Sequence, residues 1–270
     1  MTAGLVLDND GIALSARLVD WDTESLGAPV AQVDRIELRG QGAGPADVES
    51  LHEWLSANHV ALAACRLPEA RLRESFFLEA SGFRFVEMVY GMRLVLGPND
   101  VAAVAAPDVH WEHAGPRDLP ELAAVAASAF DTGRWHVDPR IGAAASGRRY
   151  AHWVERSLAG GPQEVLLARE EGRVAGFFIV EDLEDGSSYW HLTAVSPTHQ
   201  GRGWGRRMWA SMVGRHSAAG RRSVRTTVSA RNLAVLNLYA RQGWRFEDCQ
   251  MTLQWVPEQH AAAPQAGRLA

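Results

Sequence analysis

One stretch limits the fold more than any other: SYWHLTAVSPTHQGRGWGRRMWASM, Ser188 to Met212. It runs from β-branched and aromatic residues into three glycines at alternate positions, Gly201, Gly203 and Gly205, and then into an uninterrupted helical run. A strand that passes through so bare a turn into a helix leaves the first amides of that helix uncovered at the positive end of its dipole, where an anion binds. Glycine also lets a phosphate approach the backbone closely. The residues themselves exclude two common nucleotide loops. No Lys-Ser/Thr follows the last glycine, and the glycines lack the final spacing of GxGxxG.

The remaining periodicities place elements around this turn. Leu119 to Phe130 reads as a helix, DTGRWHVDPRIGAAASG as a polar loop, and Arg148 to Leu158 as a second helix ended by Gly160 and Gly161. EVLLARE, RVAGFFIVED and SYWHLTAV read as three strands of a meander. A helix over Trp204–His216, a strand over Ser223–Val228, a helix over Asn232–Arg241 and strands over Trp244–Trp255 complete the order. Strands first, then alternating helix and strand, predict an α/β chain around a mixed sheet.

The end of the chain echoes its first third. SGFRFVEMVYGMRLVL, from Ser81, and QGWRFEDCQMTLQWV, from Gln242, share a Gly-aromatic-Arg-Phe core at an offset of 161. The same offset lays Gly40, Gly42 and Gly44 on Gly201, Gly203 and Gly205, with 37 residues between Gly44 and Gly82 and 37 between Gly205 and Gly243. This is the signature of a degenerate internal duplication. Only 38 residues precede RGQGAG, so the first copy is expected to lack the lead strands of the second. It has Arg71 and Leu78 where the second has Asn232 and Tyr239, which fits a structural role rather than a second enzyme. The expected division is a degenerate N-terminal domain over 1–105, a catalytic domain over 106–256 and a disordered tail over 257–270, with VAAVAAPDVH as the linker.

Composition narrows the class. A net charge of −5 argues against a general nucleic-acid binder, and no apolar run approaches the ~20 residues of a membrane helix. No secretory signal is read at the N-terminus, so a cytoplasmic location is expected. Two cysteines, Cys65 and Cys249, make neither a disulfide framework nor a zinc-ligand spacing, and no metal is expected. All 27 basic residues are arginine, which rules out a lysine Schiff base. A homodimer is compatible with the sequence.

VSPTHQGRGWG, from Val195, resembles the Q/R-x-x-G-x-G/A acetyl-CoA signature of the GNAT acetyltransferase superfamily, and NLAVLNLYARQGWRF is similar to that superfamily's following block, N-x-x-x-x-x-x-Y-x-x-x-G-F/W. The resemblance covers Trp111 to about Trp255 and implies a GNAT fold in the C-terminal part, preceded by a truncated GNAT-like half-domain. It implies acetyl-CoA as co-substrate and a small-molecule amine as acceptor. A splayed strand pair would hold the pantetheine arm beside Ala194 and Val195, and the pyrophosphate would rest on the amides of Gln200, Gly201, Arg202, Gly203, Trp204 and Gly205. A narrower segment, Gly133 to Gly161, resembles the TDP-fucosamine acetyltransferase family, which acetylates TDP-4-amino-4,6-dideoxygalactose. That family also carries an N-terminal half-domain with a WD segment, here VDWDTESLGAPV. A nucleotide-linked amino sugar is the implied acceptor; a peptide, antibiotic or metabolite amine, or a non-catalytic acyl-CoA-binding module, are the alternatives.

Acetyl transfer to an amine needs a neutral amine, a stabilised oxyanion and a proton for the departing thiolate. Tyr239 resembles the superfamily's general acid. Asn232 lies seven residues earlier, on the same helix face, and serves equally as a contact to the CoA arm or as the helix cap. A backbone N–H near Ala194 and Val195 would hold the oxyanion. For the base, His191 ranks first and Glu181 second. Arg134, His136, Asp138 and Arg140 fall in the loop that would line the acceptor side, where guanidinium suits a diphosphate. Arg202 and Arg206 would meet CoA phosphates.

Overall fold

The structure is a computed structural model and describes residues 4–40, 42–97 and 109–257. In chain order the elements are β1 (Leu5–Asp8), β2 (Ile12–Leu18), α1 (Asp20–Leu26), β3 (Val30–Leu38), α2 (Pro45–Ala57), β4 (Leu62–Pro68), α3 (Leu72–Ala80) and β5 (Arg84–Val95). They continue with β6 (Glu112–His113), α4 (Leu119–Ala129), α5 (Arg134–Val137), α6 (Ala143–Leu158), β7 (Gln163–Glu170), β8 (Arg173–Asp182) and β9 (Ser187–Val195). Last come α7 (Trp204–Ala218), β10 (Ser223–Ser229), α8 (Leu233–Arg241) and β11 (Arg245–Trp255). The expected linker boundary at residue 105 and the tail beyond residue 257 lie outside the described residues.

The chain separates into two units. One spans Met1–Val89, Gly133–Ala145 and Cys249–Ala270; the other spans Tyr90–Thr132 and Ser146–Asp248. The loop around Trp135 therefore belongs with the N-terminal residues. Trp135 is why: it is buried with Val30, Leu62, Ala145 and Val256. What the sequence presents as a polar loop has an apolar anchor.

In the first unit β1, β2, β3 and β4 are neighbours in that order, and β11 pairs antiparallel with β4 from Gln250 to Trp255. Its core gathers Ile12, Leu14, Leu51, Leu55, Leu78, Phe83 and Leu253. Three strands therefore fit into the residues before the first glycine turn, which corrects the expectation that lead strands are missing. β1–β2 and β2–β3 are antiparallel and β3–β4 is parallel; in the same order, β7–β8 and β8–β9 are antiparallel and β9–β10 is parallel.

The offset read from the sequence holds for the elements that follow the glycine turn and its helix. Added to β4 it gives both ends of β10, and added to α3 both ends of α8. The helix ends repeat too: Phe83 N–H donates to Leu78 O and Trp244 N–H to Tyr239 O, after Gly82 and Gly243 at φ +86° and +79°.

In the second unit the order is β10-β9-β8-β7-β6. Helix α7 packs on β8 at Gly176, where an added Cβ would lie 2.4 Å from Met208 Cε and 2.4 Å from Ala194 O, so only glycine allows this approach. Phe178 meets Trp190 and Trp209 edge-on, at centroid distances of 4.9 and 4.8 Å. Each such ring pair adds about 1 kcal/mol beyond its buried area.

Two features of β9 shape the site. Ile179 pairs with Leu192 but Val180 with Trp190, which leaves His191 as an extra, bulged residue. The bulge reverses the alternation. Trp190 joins the cluster of Phe178 and Val180, whereas Leu192 and Ala194 join Phe177 and Ile179. The second feature is a splay. β9 and β10 pair in parallel only from Ser187/Ser223 to Trp190/Thr226, although the strands run on to Val195 and Ser229.

Candidate active site

The splay opens into a cavity of about 510 Å3 within the second unit. One side is the end of β9 and the glycine turn, with Thr193, Ala194, Val195, Gln200, Gly201 and Gly205; another is the start of α8, with Asn232, Ala234, Val235 and Leu238. Trp209 of α7 and the end of α4, Ser128 to Asp131, complete the lining.

The glycine turn has the geometry its sequence predicts. Gly201 and Gly203 adopt φ of +74° and +81°, a region that costs other residues about 1–2 kcal/mol, and Gly203 opens α7 with no side chain capping it. Among the described residues, none accepts a hydrogen bond from the backbone N–H of Gly201, Arg202, Gly203, Trp204, Gly205 or Arg206. Six consecutive donors at a helix N-terminus form an anion cradle. Arg202 and Arg206 are exposed beside it, and neither has an ion-pair partner among the described residues. Trp204 instead turns its side chain inward, and its indole donates to Glu170 Oε2 at 3.2 Å. Gln200 Nε2 donates to Val195 O at 3.2 Å.

Ladder parity selects one N–H at the end of β9. Ser196 N–H donates to Ala175 O at 2.9 Å, so the preceding pair, Gly176 with Val195, is a non-hydrogen-bonded one. Val195 N–H therefore points away from β8, toward the splay, and Ala194 N–H toward β8. Asn232 caps α8, its Oδ1 accepting from Val235 N–H at 3.2 Å, and also lines the cavity. Neither role excludes the other.

Tyr239 is fully buried, stacked on Trp244 at 4.4 Å, and is not part of the cavity wall. Burial pushes its hydroxyl well above the ordinary tyrosine range, against the opposing pull of Trp209, Thr226 and Thr193, whose side chains face it. Thr193 and Trp209 also line the cavity, so the hydroxyl sits one side chain behind the wall. These neighbours carry no motif signature and were not legible in the sequence.

His191 and Glu181, read as rival bases, are partners: Nε2 and Oε2 are 2.7 Å apart, with Tyr189 and Trp153 against the imidazole. Arg134, His136, Asp138 and Arg140 are brought together in the first unit. Arg134 lies 3.5 Å from Asp22. Buried Asp138 takes Arg140 on both oxygens, at 2.9 and 2.8 Å, and Arg140 also donates to Gln254 O. A diphosphate would have to displace these carboxylates. His136 is half-buried, its N–H on Gly133 O. Among the described residues no group of three His, Cys, Asp or Glu is placed to hold a metal, and no helix is long and apolar enough to cross a membrane.

Residues 132–244 match the acetyltransferase (GNAT) family. The chain is 28% identical over 182 residues to the dTDP-fucosamine acetyltransferase of Escherichia coli O6:H1, covering 66% of this chain and 73% of that protein. Its fold is similar to that of a GCN5-related N-acetyltransferase from Sphaerobacter thermophilus, at TM-score 0.61, 14% identity, 93% of this chain and 82% of the other. It is also similar to a tandem GNAT protein from the clavulanic acid biosynthesis pathway, at TM-score 0.56, 15% identity, 91% of this chain and 79% of the other. Cradle and splay both fall within residues 132–244, the segment that is similar to the acetyltransferase (GNAT) family, whose enzymes use acetyl-CoA.

Proposed function

We propose that the protein transfers the acetyl group of acetyl-CoA directly to the primary amine of a nucleotide-linked amino-deoxysugar. The observation that carries the donor half is the run of six amides from Gly201 to Arg206 beside the cavity, for which none of the described residues is an acceptor, an arrangement that suits a pyrophosphate. The similarity to a dTDP-fucosamine acetyltransferase supports the sugar. The ion pairs of Arg134 with Asp22 and of Arg140 with Asp138 favour a second reading, an acceptor without a diphosphate such as a peptide, antibiotic or metabolite amine.

In either case the chemistry runs alike. The amine nitrogen attacks the thioester carbonyl, and Val195 N–H donates to the oxygen that becomes an oxyanion. His191, oriented by Glu181, takes the proton from nitrogen. As the C–S bond breaks, Tyr239 supplies the proton to sulfur through the Thr193 hydroxyl, which passes on its own proton and takes that of Tyr239. The raised pKa of Tyr239 keeps that proton in place until the thiolate forms. No cysteine lines the cavity, in keeping with direct attack rather than an acyl-enzyme.

Thiol release from acetyl-CoA, measured against TDP-linked 3-amino and 4-amino sugars, peptide amines and aminoglycosides, tests the acceptor. Release with one sugar nucleotide establishes it; release with another amine alone moves the assignment to the second reading. Tyr239→Phe is expected to lower kcat about 100-fold, within the range of general acid catalysis, at unchanged acetyl-CoA affinity. Unchanged turnover would remove Tyr239 from the chemistry.

A further inference from the structure

The cradle poses a mechanical problem. Gly201 and Gly203 are exposed, and nothing lies within 4 Å of where a side chain would begin on either. Among the described residues, Gln200 is tied back to Val195 O and Pro197 O, but the two glycines bring no side-chain packing to the conformation that aligns the amides. The two flanks of the turn, however, are buried: His199 on one side and Trp204 on the other.

Both flanks converge on one atom. Trp204 Nε1 donates to Glu170 Oε2 at 3.2 Å, and His199 Nε2 lies 3.4 Å from the same oxygen. The two rings also meet edge to face, with centroids 6.0 Å apart. Behind His199 the contacts continue to Thr198 Oγ1, 2.9 Å from Nδ1, and from there to Ser196 Oγ at 3.1 Å. With Nε2 protonated toward Glu170, Nδ1 accepts from Thr198, and Thr198 accepts from Ser196. From the other side, Arg207 lies over the Trp204 ring at 4.6 Å. Glu170 ends β7, outside the turn and its helix, and does not line the cavity.

We propose that Glu170 is a positioning residue for the donor site: by holding His199 and Trp204 on one carboxylate oxygen it fixes the span of the glycine turn, and with it the affinity for acetyl-CoA, while taking no part in acetyl transfer. The proposal rests on the reading of the turn as the acetyl-CoA site. It requires an acceptor at residue 170 rather than a charge, so Gln should serve where Ala does not.

Glu170→Ala is expected to raise the acetyl-CoA Kd about tenfold, the scale of losing a hydrogen bond, with kcat at saturating acetyl-CoA within about twofold of wild type and the amine KM unchanged. Glu170→Gln should stay within about threefold of wild type in Kd. In the free protein, 15N order parameters at Gly201 and Gly203 should fall in the Ala variant and persist in the Gln variant. An Ala variant that binds acetyl-CoA like wild type, or loses affinity and kcat in equal proportion, overturns the proposal. So do order parameters that do not change. If wild type itself binds no acetyl-CoA, the reading of the site falls, and the order parameters alone decide whether Glu170 holds the turn.

Discussion

At Gly44 the first glycine turn hands its chain to α2, and Asp47 at once takes the Gly44 N–H on Oδ2 at 2.8 Å while Asn9 holds the other oxygen. At Gly203 the second turn hands its chain to α7, and no side chain follows. The same contrast recurs at the splay. β3 and β4 pair only from Val30/Leu62 to Val33/Cys65, much as β9 and β10 do, and that register makes Leu38 the counterpart of Val195. Leu38 N–H, however, is taken by the carboxylate of Glu74 at 3.2 Å, and the α8 residue matching Glu74 is Val235, which lines the open cavity. Leu78 fills the place of Tyr239 and is fully buried. Two carboxylates and a leucine thus close, from inside the first unit, the positions that the second leaves for a ligand. Duplicated backbone geometry does not by itself make a binding site; unsatisfied amides do.

The largest expected effect of the difference is on stability. The counterpart of His216 on α7 is Leu55 on α2, and both are buried. His216 is tied down by polar contacts: Trp190 Nε1 donates to its Nε2 at 2.9 Å, so its proton sits on Nδ1 and points to Ser188 Oγ at 3.0 Å, which in turn donates to Asp182. Burial lowers its pKa to about 4, below the 6.5 of a free histidine. The neutral form is bound into the fold, so its contribution is complete above pH 6.5 and is lost as pH falls toward 4, about 3 kcal/mol in all. Denaturant unfolding at pH 7 and pH 4.5 should show this loss. His216→Gln keeps an acceptor for Trp190 and a donor for Ser188, and should flatten it; an unchanged slope would discharge His216.

A second substitution copies the seal of one turn into the other. Arg206 occupies in α7 the third helical position that Asp47 occupies in α2. Arg206→Asp would place a carboxylate over the free amides, so acetyl-CoA affinity should fall about 100-fold by calorimetric titration, with the fold intact or firmer. Arg206→Ala should cost only a few-fold. Equal losses in the two variants would mean that the arginine's charge, rather than the open amides, sets affinity.

How much of this was legible in the sequence depends on range. The glycine turn, α7, β10 and α8 are local patterns, and their limits fall within a few residues of those read. The duplication was legible because its offset survives without a gap. The bulge at His191 was not: in the bare alternation of Trp190, Leu192 and Ala194 all three share a face, and only the register against β8 moves the last two to the other side. Trp135 in its polar-looking loop, the pairing of His191 with Glu181, and the seal at Glu74 likewise join residues through tertiary register rather than spacing. Acidic side chains near a helix start read the same whether they cap amides or leave them free.

Gly205→Ala separates binding from folding. A Cβ at Gly205 would meet only Val195 Cγ2, at 3.9 Å, so the free protein has room for it, and Ala in a helix is favoured over Gly by up to about 1 kcal/mol. The same methyl would stand in the cavity lining, where glycine allows the ligand to approach the backbone. Affinity for acetyl-CoA should fall about tenfold while the melting temperature holds or rises. Loss of both together would instead mark Gly205 as a folding requirement.

The smallest effect belongs to the sealed turn. Asp47→Ala removes the acceptor for Gly44 N–H and the partner of Asn9 Nδ2, a loss of about 1 kcal/mol, the usual range for a helix cap. Acetyl-CoA affinity and kcat should not move, because the residues proposed for the donor site, from Val195 through the second turn to Asn232, all lie in the second unit. Nor should the variant gain a second site: Gly42 N–H still donates to Arg39 O at 2.7 Å, Glu74 still takes Leu38 N–H, and Leu78 still fills the place of the acid. Titration of the variant to high acetyl-CoA should therefore retain the wild-type stoichiometry. A second, weaker binding event would mean that Asp47 alone keeps the first copy silent, and that the closure at Glu74 is incidental.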